Sequence, residues 1–220
     1  MLTFAEELLL LALDDEEGVV RSLPQVSIDT AIAAALLEEL SFLRKIDATP
    51  TTIYVAEPSR MRFDDLLDEV LKLLIAEDYQ RPIVYWLNEI VERIPRLTDR
   101  VLNGLVEKKI LKRENRKIWW VFEEPCYPVV DNEEILAVKT RLRRIIESDE
   151  IPMPRDATII SLARACRLFL AVFTPEERRR YTPRLDQIAK LSMVGQALSK
   201  SLRDFEQTIC LINETVYKYN

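Results

Sequence analysis

The sequence predicts a mainly α protein: a single-domain helical core with surrounding amphipathic helices and a β-hairpin. Three observations carry this. Only three glycines occur in 220 residues, too few for the many turns of a β architecture. Apolar residues recur at helical spacing over long stretches rich in Leu, Ala, Glu and Arg, which tolerate helix well. A hydrophobic content of 48% suffices for a core, and with no flexible linker in view residues 1–220 read as one domain.

Thr3 is the expected N-cap of a first helix reaching Leu13, with Glu6 and Glu7 favoured in its first turn. Gly18 closes the acidic run Asp14-Asp15-Glu16-Glu17, which lacks the alternating ligand spacing of a calcium loop and reads as a solvated helix end. Ser27 caps the next helix, where alanines mixed with Ile32, Leu36 and Leu40 permit close helix approach and predict a central element. A basic turn at Arg44-Lys45 and a β-rich run, Thr51 to Val55, follow. Residues Phe63 to Ala76 have strong helical periodicity, and Pro82 opens another helix with Trp86 on its apolar side.

Leu97, Val101, Leu102, Leu105 and Val106 predict a helix capped by Thr98. Two apolar runs, Ile110-Leu111 and Ile118 to Phe122, flank Lys112 to Lys117, which reads as a hairpin with its turn near Glu114-Asn115. Pro125 and Pro128 hold the next stretch extended. Asn132 to Ile146 is then helical. The most apolar helix, Asp156 to Phe173, is expected through the middle of the fold, and the charged stretch Glu176 to Arg184 leads to an amphipathic helix from Ile188 to Leu211.

The formal net charge is -6, yet Arg93, Arg96, Arg100, Lys108, Lys109, Lys112, Arg113, Arg116 and Lys117 stand against only Asp99, Glu107 and Glu114 between positions 93 and 117. The run Ile118, Trp119, Trp120, Val121 and Phe122 is apolar on both faces of a strand, so one face can pack on the protein and the other needs another partner. Cations beside tryptophans suit an anionic lipid surface, where each basic residue gains roughly 1 kcal/mol and indoles settle at headgroup level. Two plainer readings stay open: a charged hairpin tip, or a tryptophan pair in the core. So does burial of the hairpin against a second copy, as a homo-oligomer.

With no histidine, no glycine-rich phosphate loop, no metal-ligand spacing and no nucleophile elbow, neither an enzyme nor a cofactor or metal is expected. Cys126, Cys166 and Cys210 are scattered and read as free thiols. No targeting segment is visible and no apolar run approaches the roughly 20 residues of a membrane span, so membrane contact would be peripheral. Residues 97–122 alternatively read as a winged-helix-like DNA-binding or protein-interaction module, with Arg100, Asn103, Lys108 and Lys109 towards the groove. The acidic pI near 5.0 and the apolar wing weigh against it, and nucleic acid is not the expected partner.

Several segments together resemble the Golgi phosphoprotein 3 family of phosphoinositide-binding proteins, including its bacterial members: Leu2-Thr3 with Ala5 to Asp15, Ala35 to Leu40, Leu66 to Glu69, Trp86, Leu105 to Leu111 and Ile159 to Leu162. They fall in family order across most of the chain. The resemblance implies a helical core with a membrane-facing hairpin, no catalysis, and peripheral attachment on the cytoplasmic side, the Golgi cytosolic face in a eukaryote. It further implies binding of a phosphatidylinositol 4-phosphate-like headgroup by a tryptophan and a set of arginines. At those pocket positions this sequence has Pro24, Ala33, Pro95 and Thr98, a departure that points to a bacterial-type member. Arg93, Arg96 and Arg100 lie within a turn or two and are the expected headgroup ligands of a shifted pocket, because guanidinium forks engage phosphate oxygens.

Overall fold

A computed structural model describes residues 1–14, 17–21, 23, 27–49, 52–56, 64–77, 81–118, 122–192 and 194–196, with backbone alone at 117, 118, 122, 123, 170 and 171. In chain order come α1 (Phe4–Ala12), α2 (Ile28–Phe42), β1 (Ile46–Ala48), β2 (Ile53–Val55), α3 (Asp65–Ala76), α4 (Ile83–Arg93), α5 (Leu97–Glu107), β3 (Glu114–Ile118) and β4 (Phe122–Cys126). They are followed by α6 (Glu133–Glu147), α7 (Pro154–Ala165), α8 (Phe169–Val172) and α9 (Pro175–Ala189). β1 pairs with β2 and β3 with β4, both antiparallel.

Thr3 starts α1 as expected. Its hydroxyl accepts the Glu6 N–H at 3.2 Å and the Glu6 carboxylate accepts the Thr3 N–H at 2.8 Å, a reciprocal cap. Every residue of α1 is buried, Glu6 and Glu7 included, because α2, α5, α6 and α7 all pack around it. α2, capped by Ser27, is buried from Ala31 to Leu40, and its alanines let α1, α4 and α5 approach. Both α2 and α5 run antiparallel to α1. Phe42 at the end of α2 meets Phe4 edge-on at 5.8 Å, and Lys108 just past α5 reaches Glu6.

The carboxylates inside this core are matched. Glu7 pairs with Arg141 and Arg155, and Glu39 accepts the Phe4 N–H at 2.6 Å. Burial pushes the Glu39 carboxyl above its usual range against the opposing pull of that N–H and of Arg155. Trp86 is buried, as its helical face predicts.

Three expectations are corrected. The Asp156 to Phe173 helix is two helices, broken where Arg167 takes φ 57° and Leu168 N–H turns back to the Ala163 carbonyl at 2.9 Å. The charged stretch after Phe173 is itself α9, which buries only Tyr181, Leu185 and Ile188 and ends at Ala189; no continuous helix runs on from Ile188, and 197–211 lie outside the described residues. In the second hairpin Glu114 and Asn115 lie within β3, paired with Cys126 and Pro125, and the ladder runs on to Ile118 opposite Phe122, so the strands do not reverse near Glu114-Asn115. Its first strand is charged because this ribbon is solvated there, so no polar-apolar alternation marks it.

Arg44, Lys109 and Arg167 occupy left-handed positions just past α2, α5 and α7. Lys45 N–H donates to Leu40 and Ile110 N–H to Leu105, closing the same wrap that Leu168 makes on Ala163. Glycine usually fills this site. Here a cation fills it, beside the negative end of a helix.

Candidate functional site

α4 ends at Arg93, and the chain turns through buried Ile94 and exposed Pro95 into α5. The residue preceding α5 is Arg96, with φ 56° and no capping side chain; Thr98 is not the cap that spacing suggested. Instead both the N–H and the hydroxyl of Thr98 donate to Asp29 Oδ1 of α2, at 3.0 and 2.5 Å. A carboxylate from another helix thus takes the orphan donor at the amino end of α5, where the helix dipole also favours negative charge.

The three predicted arginines share this corner in unequal states. Arg93 pairs with Glu89 at 2.6 Å and Glu77 at 3.4 Å. Arg100 makes a two-pronged pair with Glu69, at 2.7 and 2.8 Å, which holds the Glu69 carboxyl below its usual range and raises the guanidinium. Arg96 is exposed and has no ion pair among the described residues. Of the other predicted cations, Lys108 is bound to Glu6, Lys112 to Glu114 and Arg116 to Glu17, whereas Lys109 and Arg113 have no ion pair among the described residues. The local excess of positive charge in the sequence is therefore largely matched by carboxylates from distant positions.

The hairpin is rooted on Gly18. Tyr127 N–H donates to the Gly18 carbonyl at 2.6 Å, and Gly18 has φ 65° with the Tyr127 and Pro128 backbone within 3.0 Å of where a Cβ would stand. Only glycine admits that approach. Tyr127 is buried, and burial raises its phenol above the usual range against the opposing pull of the Arg113 charge. Ile118 and Phe122 are partners in the ladder; their side chains, with Trp119, Trp120 and Val121, lie outside the description. Among the departed pocket positions Ala33 is fully buried and Pro24 is outside the described residues.

Asp29, Glu69 and Glu77 were not picked out from sequence. Each is far along the chain from the arginine corner, and nothing in their local pattern marks them. Cys126 and Cys166 are buried free thiols, and burial pushes Cys166 up to about 12, so it holds no thiolate at neutral pH. Cys210 lies outside the description. Among the described residues no helix is long and apolar enough to cross a membrane.

A family model described as Golgi phosphoprotein 3 (GPP34) matches residues 4–205. The chain is similar to the vacuolar protein sorting-associated protein 74 of Eremothecium gossypii, 28% identical over 166 residues, covering 66% of this chain and 49% of that protein. It is also 27% identical over 176 residues to the protein of the same name from Schizosaccharomyces pombe, covering 69% of this chain and 51% of that one. The chain spans about half the length of the curated relatives it matches. With a match over nearly its whole length, and a helical core carrying a rooted hairpin, this chain belongs to the Golgi phosphoprotein 3 family.

Proposed function

We propose that this chain is a non-enzymatic peripheral membrane protein, acting as one domain, that docks on anionic phospholipid at the cytosolic face of the Golgi or an equivalent membrane. The docking face is the α4–α5 corner together with the β3–β4 hairpin. Ile118, Trp119, Trp120, Val121 and Phe122 enter the headgroup region, and Arg93, Arg96 and Arg100 face a phosphatidylinositol 4-phosphate-like headgroup. Arg96 leads because Arg93 and Arg100 must first exchange their own carboxylates. The observation that carries this reading is that Arg96, exposed between α4 and α5, has no ion pair among the described residues, while Arg93 and Arg100 on either side of it do. Membership of the family, and relatives named for vacuolar protein sorting, support a role in sorting at that membrane.

Sedimentation with phosphatidylserine vesicles at about 50 and 300 mM salt tests it, since screening weakens exposed charge attraction. Binding should fall with salt. Replacing both Trp119 and Trp120 by Ala should reduce it about tenfold or more, in line with losing two interfacial anchors. Unchanged pelleting of the double variant removes the proposal. A loss of dimer in that variant, with vesicle binding intact, would assign the hairpin to self-association instead.

A further inference from the structure

Just past α9 the chain turns back into the core. Ser192, Val194 and Gly195 are buried there, against Glu38 of α2 on one side and Ser161 of α7 on the other. The Ser161 hydroxyl donates to the Ala189 carbonyl at 3.1 Å and holds the end of α9. The Ser192 hydroxyl donates to the Glu38 carboxyl, and its oxygen accepts the Gly195 N–H at 2.9 Å. Gly195 leaves no slack, because a Cβ at that position would overlap the Ser161 hydroxyl.

Of this cluster only Glu38 changes charge in the ordinary pH range. The charges that reach this stretch of α2, Glu7 of α1, Arg155 of α7 and Asp64 ahead of α3, act on Glu39 instead. Among the described residues no titratable or charged group from α1, α3, α4, α5, α7 or β1, the elements packed on α2, acts on Glu38. A carboxylate there has a hydroxyl for company and no cation, a poor exchange for water.

We propose that Glu38 is a pH-sensitive latch: while it carries its proton the 191–196 segment stays seated between α2 and α7, and ionisation lets that segment open while the helical core stays folded. Opening uncovers Val194 and Ser161, both buried in the closed seat, and gives the carboxylate its water. Burial holds the closed carboxyl above the usual range, whereas the open one titrates within it. Closure is therefore strongest below the ordinary carboxylate range, weakens as pH rises, and levels off once the raised value is passed.

Hydrogen exchange of the full chain, read by mass spectrometry from about pH 4 to 8 and corrected for intrinsic exchange, tests this. Protection of 191–196 should lie at least about tenfold below that of α1, as expected of a segment that opens on its own. It should fall with pH by up to about tenfold per unit, the limit for one proton, and then level. In Glu38→Gln the fall should vanish. Glu38→Met, also neutral, replaces that variant if it fails to fold, with thermal melts as the check. A flat native profile overturns the latch whatever the variants do. So does an equal fall in the neutral variants, or protection of 191–196 equal to that of α1, which would mean that the segment opens only when the whole chain unfolds.

Discussion

The Arg155 guanidinium carbon lies 4.4 Å from the centre of the Phe4 ring, while its nitrogens reach Glu7 at 2.9 Å and the Leu2 carbonyl at 2.5 Å. One side chain of α7 thus fastens the first turn of α1 by cation–π contact, ion pair and backbone hydrogen bond. Glu7 is almost wholly buried, so removing a partner leaves charge without compensation. Arg155→Met should cost about 3 kcal/mol, moderated because Arg141 still reaches Glu7. A double-mutant cycle with Glu7→Gln, read by urea unfolding, should give a coupling of about 1 to 3 kcal/mol. Additive effects would mean that the pair contributes no mutual stabilisation.

Lys109 and Arg44 invite the opposite change. A non-glycine residue in the left-handed region costs about 1 to 2 kcal/mol. Glycine loses about 0.5 to 1 kcal/mol of this gain through chain entropy, and the dipole loses a cation worth about 0.3 kcal/mol. Lys109→Gly and Arg44→Gly should therefore each stabilise by about 0.5 kcal/mol. The check is the midpoint of urea denaturation at unchanged slope, and a lower midpoint contradicts it.

Glu38 sets a pH dependence. Its carboxyl is buried on α2 and accepts from the Ser192 hydroxyl, whose oxygen in turn accepts the Gly195 N–H at 2.9 Å, with no cation among the groups that shift it; burial outweighs the opposing hydrogen bonding from Ser192 and Gly195 and raises it above the usual carboxylate range. The folded chain thus favours the protonated form more than the unfolded chain does. Its contribution is fully present below the ordinary carboxylate range and is lost as pH rises through the raised folded value. Glu38→Gln removes that loss. Relative to wild type the variant should gain stability as pH rises from about 4 towards neutrality, and then run parallel. Unfolding midpoints taken across that range decide it, and parallel curves throughout would show that Glu38 titrates normally.

What the sequence made legible was whatever local pattern controls. Thr3 and Ser27 cap as their types suggest, α3 and α5 follow their apolar periodicity, and Trp86 is core because its helical face is. The hairpin was legible as a hairpin, but its turn was misplaced, because an exposed ribbon carries charge along a strand as readily as in a turn. The charge at the arginine corner was not legible at all. Asp29 is 69 positions from Thr98 and Glu69 is 31 from Arg100, so a count along the chain records the cations and omits the anions that folding brings to them. The break at Arg167 escaped for a related reason: a left-handed arginine carries no glycine to announce it.

The enclosure of α1 bears on how the molecule is made. This helix leaves the ribosome ahead of everything that later wraps it, and Arg155 emerges 148 residues after Glu7. At about 5 to 20 residues per second, a leucine-rich segment waits roughly 7 to 30 s for its sheath. Nascent chains of this protein should accordingly lean on holding chaperones throughout synthesis, and native structure should arrive only once α7 has cleared the exit tunnel.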